Sequence, residues 1–248
     1  MAGGLDLVLW DAFGPVLDAV TPSYLAAVEV CEFLRIAPPF LDAENYRNRA
    51  QRGVQLMMAA LVARQNGPVS EQRSVEEALH IYELRMMGEQ VTCVQGVERV
   101  LARLDGLGVV QGVVTNLPQE WVMPRLDALG LSKYFNVYMF RQQGSSSGKE
   151  GLLGVVLRRC RDPSRVAMVG DRVPDVLAAR RAGIGHVVLV AYGLDTFERV
   201  STELKDAYYE DAQGVRKKLA PDATVDTPMG VLDYLEGQSD LDARLGGK

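Results

Sequence analysis

Short apolar runs alternate along most of the chain with stretches in which apolar residues recur every three or four positions. The first pattern is typical of buried strands and the second of amphipathic helices. The strand-like runs are residues 5–10, 109–114, 136–140, 165–169, 186–191 and 223–225. The helix-like stretches are 96–106, 118–129, 150–160, 174–182 and 229–236. This alternation predicts an α/β protein with a doubly wound, Rossmann-like parallel sheet joined by right-handed crossovers.

Residues 19–95 carry helix signals and no strand-like run. Thr21, followed by proline, is a favourable start for a first helix, and Asp42 for a second that continues to Leu61. Ser70 or Ser74 is placed to start a third. The sequence therefore predicts a helical insert after the first strand.

The change of pattern divides the chain into domains. We predict an α/β core made of residues 1–18 and 96–236 and a helical domain made of residues 19–95. Within the core, residues 194–220 are expected to form a charged, helical excursion before the last strand. Residues 237–248 are expected to be a polar tail.

The composition is that of an acidic chain with enough apolar residues for a full core. Of 248 residues, 48% are hydrophobic, and the net charge of −5 argues against nucleic-acid or anionic-membrane partners. Cys31, Cys93 and Cys160 are dispersed and show no CxxC spacing, so neither a disulfide framework nor a zinc site is expected. The lack of a signal-peptide pattern and of a membrane-spanning apolar run predicts a cytoplasmic protein.

Polar side chains follow three of the predicted strands. Asp11 ends the first, Thr115 and Asn116 follow the second, and a Gly-Asp-Arg-Val-Pro-Asp segment brings Asp171 and Asp175 after a third. The carboxyl ends of parallel strands meet at one edge of the sheet, where open α/β sheets build active sites. A carboxylate there can act as a nucleophile. A strand-capping aspartate, or acidic residues that complement a helix dipole, would give the same local patterns without chemistry.

These polar sites, with a lysine between the second and third, form an ordered set. Its members are Asp11, Thr115-Asn116, Lys149 and Gly170-Asp171-Arg172-Val173-Pro174-Asp175. The set resembles the motifs of the haloacid dehalogenase-like (HAD) hydrolase superfamily, which read hhhDxDGT, hhh(S/T)N, Lys and GDxxxD. The resemblance spans nearly the whole chain. It implies that the helical insert is a C1-type cap that closes over the site and supplies substrate contacts.

The resemblance also implies a role for each position. The implied catalytic residues are Asp11 as nucleophile, Thr115, Lys149 and Asp175. The implied ligands of Mg²⁺, which prefers oxygen donors, are the carboxylates of Asp11 and Asp171 and the backbone carbonyl of Phe13. The implied substrate contacts are Asn116, Phe13 and three cap arginines, Arg47, Arg49 and Arg52. A solvated arginine face is the alternative for the last three.

The chain departs from the family pattern at two positions near the nucleophile. Phe13 stands where HAD phosphatases have an aspartate that protonates the leaving group and then activates water. General acid catalysis contributes roughly 10²–10⁴-fold, so hydrolysis of ordinary phosphate monoesters is expected to be impaired. A halide, a stabilised carbanion or an acyl group leaves without a proton and would suffer less. Pro15 replaces the usual threonine.

Two subfamilies lack that acid. The 2-haloacid dehalogenases carry DxYGT, but they need no metal and generally lack the complete GDxxxD element found here. Phosphonatases carry DxAGT and keep magnesium, and residues 193–233 loosely resemble their insertion and closing strand. They also need a cap lysine for a Schiff base, whereas every lysine of this chain lies at or beyond Lys133.

Three hypotheses follow from the sequence. The leading one is a Mg²⁺-dependent hydrolase that uses Asp11 on a small anionic metabolite bearing a phosphate or phosphonate. The second is haloacid-type dehalogenation, and the third is a non-catalytic HAD-fold protein that binds a ligand under its cap. The oligomeric state is left open, with a homodimer as one option.

Overall fold

The computed structural model describes residues 5–18, 20–49, 54–68, 70, 72–88, 91–142, 148–193, 197–211 and 213–245. The chain divides into two compact units. Residues 1–17 and 92–248 form one, called here the core unit, and residues 18–91 form the other, called the helical unit.

Eight strands and ten α-helices are found within the described residues. The strands are β1 (Leu7–Trp10), β2 (Val110–Thr115), β3 (Val137–Phe140), β4 (Val166–Gly170), β5 (His186–Val190), β6 (Tyr208–Glu210), β7 (Arg216–Lys218) and β8 (Ala223–Val225). The helices of the helical unit are α1 (Val20–Phe33), α2 (Ala43–Arg49), α3 (Val54–Val62) and α4 (Val75–Gly88). Those of the core unit are α5 (Val97–Gly106), α6 (Gln119–Ala128), α7 (Lys149–Leu157), α8 (Val173–Arg181), α9 (Phe197–Leu204) and α10 (Pro228–Leu245).

The core unit is built on a six-stranded sheet with the order β3-β2-β1-β4-β5-β8, in which every neighbouring pair is parallel. The chain adds strands in one direction as far as β3 and then crosses to β4 on the other side of β1. Right-handed crossovers therefore put α5 and α6 on one face and α7 and α8 on the other. The doubly wound parallel sheet predicted from the sequence is confirmed.

Apolar side chains on both faces hold the strands in place. All four residues of β1 are buried, as expected for a central parallel strand covered on both sides. Leu153 of α7 and Val176 of α8 belong to the core cluster on one face, and α5 packs against α10 and the sheet. Burial of each such side chain contributes about 1.5–3 kcal/mol. The strand ends are thus presented by a rigid scaffold.

Side-chain hydrogen bonds mark the starts of two helices in the helical unit. The first peptide N–H of α1, at Val20, donates to the Asp18 carboxylate at 2.9 Å, so Asp18 and not Thr21 is the acceptor at this helix start. Because α1 already begins at Val20, the prediction that this helix starts at Thr21 is wrong. Before α4, Ser74 and Glu77 exchange side-chain and backbone hydrogen bonds of 3.1 and 2.8 Å, a capping box. The prediction of one helix from Asp42 to Leu61 passes through residues outside those described.

The structure corrects the expectations for two segments. Residues 194–220 contain α9, as expected, but then an antiparallel hairpin of β6 and β7. Its turn is made by Asp211, whose carboxylate accepts from the N–H of Gln213 and Val215, and by Gly214 at φ 75°. The last helix extends beyond its expected end at residue 236, because α10 continues to Leu245. Of the helices in the described ranges, none is long and apolar enough to cross a membrane.

Candidate active site

Three neighbouring strands bring their carboxyl ends to one place in the core unit. Trp10 pairs in register with Val113 of β2 and with Val169 of β4. The next residue, Asp11, donates its N–H to the Val169 carbonyl at 2.9 Å. Because β1 lies between β2 and β4, Asp11 stands between the polar residues that end those two strands. This is the edge and the switch point at which doubly wound sheets bind ligands.

A buried lysine joins two of the carboxylates. Lys149 is the first residue of α7, and its Nζ lies 2.7 Å from Asp11 Oδ2 and 2.5 Å from Asp175 Oδ1. The side chains of Lys149, Asp11 and Asp175 are 5%, 13% and 6% exposed, respectively. Buried charges are costly unless they are paired. The lysine therefore makes it possible to keep two carboxylates close together in a poorly solvated place.

The ionisation of the pair follows from this arrangement. Burial alone would lower the pKa of Lys149, but the charges of Asp11 and Asp175 hold it well above its ordinary value. Burial raises the pKa of Asp11, and the Lys149 ammonium opposes that rise. Lys149 is thus a permanent positive charge beside a carboxylate whose desolvation favours attack on an electrophile.

Further hydrogen bonds orient the carboxylates. The second oxygen of Asp175, Oδ2, accepts the N–H of Arg172 at 3.1 Å, so both of its oxygens have partners. Asp11 Oδ1 accepts the N–H of Ala12 at 2.8 Å. The Thr115 side chain hydrogen-bonds Asp11 and so lowers the pKa of that carboxyl against the effect of burial. The Asp11 side chain is therefore fixed by groups from β2, from α7 and from its own turn.

The acidic residues of the site fit a divalent cation. Asp11, Asp171 and Asp175 each offer a carboxylate oxygen within 4.8 Å of the others. Mg²⁺ binds oxygen at about 2.0–2.1 Å, so two ligands on opposite sides of one ion are about 4 Å apart. The observed spacing therefore needs little adjustment. Asp11 and Asp175 both contact Lys149 Nζ, so these contacts do not distinguish between them, and Asp11 and Asp171 stay the predicted direct ligands.

Gly14 and Gly193 lie close to the Asp171 carboxylate. Neither was predicted as a site residue from the sequence. A Cβ on Gly14 would lie 2.3 Å from Asp171 Oδ2, and one on Gly193 would lie 2.4 Å from it. Real Cβ atoms do not come so close. Gly14 also has φ 102°, a conformation that L side chains rarely adopt. The absence of a side chain at both positions is what allows Asp171 to occupy its place.

A second feature missed from the sequence concerns Phe13. This residue is 9% exposed, and the guanidinium carbon of Arg125 lies 5.9 Å from its ring centroid. Arg125 comes from α6, where it also donates to the Trp121 carbonyl. Partial burial lowers the pKa of the guanidinium without removing its charge. The position that carries an acid in HAD phosphatases is here a ring with a cation beside it.

The remaining predicted site residues lie after β2, in the helical unit or outside the described residues. Asn116 lies just after β2, and the N-cap of α6 is Pro118, which makes no side-chain capping bond. Arg47 lies on α2 of the helical unit, 3.7 Å from Glu44. Arg49 ends α2, and Arg52 lies outside the described residues. Substrate contacts by these residues stay predictions.

Comparison with known proteins finds related sequences over most of the chain. The family model described as haloacid dehalogenase-like hydrolase matches residues 5–183, and one described as HAD-hydrolase-like matches residues 149–220. The phosphoglycolate phosphatase of Salmonella paratyphi A is 28% identical over 82% of this chain and 88% of its own. The N-acetylmuramic acid 6-phosphate phosphatase of Pseudomonas aeruginosa is 27% identical over 76% and 83%.

Solved structures share the fold. A haloacid dehalogenase-like family hydrolase from Streptococcus pneumoniae superposes with a TM-score of 0.71 at 16% identity, over 93% of this chain and 98% of that one. A haloacid dehalogenase-like protein from Agrobacterium tumefaciens gives 0.71 at 17% identity, over 95% and 100%. At these identities the likeness concerns the fold alone.

Proposed function

Because the chain belongs to the haloacid dehalogenase-like hydrolase family, we propose that it is a Mg²⁺-dependent hydrolase in which Asp11 attacks the phosphorus of a small anionic organic phosphate. The family that the sequence motifs indicated is confirmed, and with it the class of enzyme. The nucleophile, the metal and the substrate class are the proposal.

One observation supports this assignment above the others. Asp11 lies 2.7 Å from Lys149, and one carboxylate oxygen each of Asp11, Asp171 and Asp175 lies within 4.8 Å of the other two. A carboxylate that attacks a phosphate dianion must overcome charge repulsion, so it needs positive charge on both sides. Lys149 supplies one such charge, and the acidic residues suit a cation as the other.

Each residue then has a definite task. Asp11 donates an electron pair to phosphorus, the bond from phosphorus to the leaving oxygen breaks, and an aspartyl phosphate forms that water hydrolyses. Lys149 and the Thr115 hydroxyl bind phosphoryl oxygens, while Asp175 holds Lys149 in position. Asp11, Asp171 and the Phe13 carbonyl would hold Mg²⁺, which when bound offsets the negative charge on the phosphoryl oxygens.

The substrate class follows from Phe13. An aromatic ring cannot protonate an alkoxide, so the fastest substrates should be those whose leaving group departs as a stable anion, such as acyl phosphates. The two relatives compared above are named for compounds in which the hydroxyl group of an acid is phosphorylated, phosphoglycolate and N-acetylmuramic acid 6-phosphate, so their leaving groups are alkoxides. Both names support a small organic phosphate. A phosphonatase reaction is less well supported, since no lysine precedes Lys133.

A substrate panel tests the proposal. The purified protein is assayed for phosphate release from acetyl phosphate, phosphoglycolate and phosphonoacetaldehyde, and for chloride release from 2-chloropropionate. Phosphate release that EDTA abolishes, that added Mg²⁺ restores, and that Asp11→Asn eliminates is the expected result.

Other outcomes would overturn it. Chloride release without a metal requirement would assign haloacid dehalogenation instead. Failure to turn over any of these compounds, with the fold intact by circular dichroism, would favour a non-catalytic ligand-binding protein.

A further inference from the structure

Tyr192 contacts the turn that follows β1. This turn, residues 11–17, carries Asp11 and is called here the nucleophile turn, whereas Tyr192 follows β5. It follows β5 by two residues and lies in the core unit, half-buried. Its hydroxyl donates to the Pro15 carbonyl at 3.3 Å. A tyrosine phenol is protonated at neutral pH, so its hydroxyl can donate this bond.

The turn that receives this bond lacks a backbone donor at residue 15. Pro15 has no N–H to donate, and it stands where family members have a threonine with a hydroxyl. Two backbone bonds of 2.9 Å close the turn, from Gly14 N–H to the Leu17 carbonyl and from Leu17 N–H to the Ala12 carbonyl. Pro15 lies in the segment that these two bonds close. The hydrogen bond from the Tyr192 hydroxyl to its carbonyl links this segment to the end of β5.

The same segment also bounds the Asp171 carboxylate. Gly193 follows Tyr192 directly, and its backbone is so close that an added Cβ would lie 2.4 Å from Asp171 Oδ2. Gly14, in the nucleophile turn, approaches the same oxygen to a similar distance. Tyr192 therefore connects two parts of the candidate cation site: the turn that carries Asp11 and Phe13, and the segment that confines Asp171.

We propose that Tyr192 is a positioning residue for the cation site, whose hydroxyl fixes the distance between the Asp171 carboxylate and the nucleophile turn. The inference rests on the proposed function, because it needs a cation between Asp11 and Asp171. Tyr192 itself touches neither the cation nor the substrate. Groups that orient metal ligands in this way typically contribute about 10–100-fold to metal affinity.

The test measures cation binding without substrate. Tb³⁺ is added to the wild-type protein, its luminescence sensitised by the tryptophans is recorded, and Mg²⁺ is titrated to displace it. Tyr192→Phe removes one oxygen and keeps the ring. Tyr234→Phe is the matched control, because its hydroxyl bonds His186 Nδ1 at 3.1 Å at the amino end of β5. We expect Tyr192→Phe to weaken Mg²⁺ binding about tenfold and Tyr234→Phe to leave it unchanged.

The outcomes separate this inference from the proposed function. If the wild-type protein binds neither ion, the cation site and this inference both fail. If the wild-type protein binds Mg²⁺ and Tyr192→Phe binds it equally well, Tyr192 has no positioning role and the proposed function stands. If both tyrosine variants lose affinity in proportion to a lower melting temperature, the role of Tyr192 is general stability and the inference is overturned.

Discussion

Lys149 Nζ lies 2.7 Å from Asp11 Oδ2, in a place where the lysine side chain is 5% exposed. This pair joins the first strand of the sheet to the first residue of α7. Because the side chains are desolvated, removal of Lys149 leaves the Asp11 and Asp175 carboxylates without their counter-charge, which is far more costly than the loss of a surface ion pair. The pair should therefore matter for folding as well as for chemistry.

Replacement of Lys149 by methionine should destabilise the protein in a pH-dependent way. The variant leaves Asp11 buried beside Asp175 with no counter-charge, and we expect a loss of about 3–5 kcal/mol in unfolding free energy at about pH 8. The pKa of Asp11, already raised by burial, should rise further once the ammonium is removed. The folded state then binds a proton that the unfolded state releases, so the loss should shrink as the pH falls toward about 4. Urea unfolding at several pH values measures this.

In the wild-type protein the same sign applies at high pH, where stability again falls as the pH rises. The pKa of Lys149 is raised in the folded state, so its contribution to stability is complete below the unfolded value of about 10.4 and is lost as the pH rises beyond it. Lys133→Met serves as control, since Lys133 is exposed and 3.5 Å from Glu98. It should unfold at the wild-type urea concentration. A Lys149→Met loss that is independent of pH would contradict the account.

Much of the fold could be predicted because most strands of the core unit are apolar runs and most of its helices have apolar residues every three or four positions. The strand over residues 223–225 was predicted with the observed bounds, and β1 was recognised from its apolar run. The order of the motifs then fixed which strands end at the candidate site. The β6–β7 hairpin was missed because its two three-residue strands are too short for a pattern of period two to emerge from a charged segment.

A methyl group added at Gly193 should disable the candidate cation site. Gly193→Ala places its Cβ 2.4 Å from the present position of Asp171 Oδ2, so the carboxylate has to move. We expect Mg²⁺ affinity to fall by about tenfold or more, as for other disruptions of metal-ligand geometry. Displacement of bound Tb³⁺ by Mg²⁺ provides the measurement.

Gly154→Ala is the matched control. Gly154 lies inside α7, and among the described residues, apart from its two chain neighbours and the backbone of its own helix, no atom lies within 4 Å of the place that a methyl group would take. This variant should bind Mg²⁺ like the wild-type protein and be more stable by about 0.5–1 kcal/mol. Equal Mg²⁺ affinity of Gly193→Ala and Gly154→Ala would show that Asp171 does not hold the cation.

An acid introduced at position 13 should change which substrates react fast. Phe13→Asp supplies a carboxyl group that can protonate a departing alkoxide, and kcat/KM for alkyl phosphates should rise by up to about 10²–10⁴-fold. Acetyl phosphate, whose leaving group needs no proton, should change much less. Arg125, close to this position, would favour the ionised carboxylate and so reduce the gain.

Two comparisons make this prediction specific. Phe13→Leu, which keeps an apolar side chain, should show no gain with alkyl phosphates. The ratio of kcat/KM for an alkyl phosphate to that for acetyl phosphate is the quantity to compare. An unchanged ratio in Phe13→Asp would mean that position 13 does not face the leaving group.

The parts of the site that could not be predicted depend on contacts between distant segments. The sequence identified Phe13 as a departure from the family pattern, but nothing in the pattern of α6 indicates that Arg125 lies beside its ring. Likewise, a glycine after a strand is common, and only the tertiary structure reveals that Gly193 confines Asp171. Residue types and motif order predict which groups are present, whereas packing determines which side chains meet.

The most direct test of the central claim is a search for the covalent intermediate on Asp11. The protein is mixed with acetyl phosphate and Mg²⁺, quenched in acid during the first turnover, and digested for mass spectrometry. We expect a phosphorylated peptide whose modification maps to Asp11 and which is absent from Asp11→Asn. Turnover that persists in Asp11→Asn, or a phosphoryl group found on another residue, would contradict the assignment of Asp11 as the nucleophile.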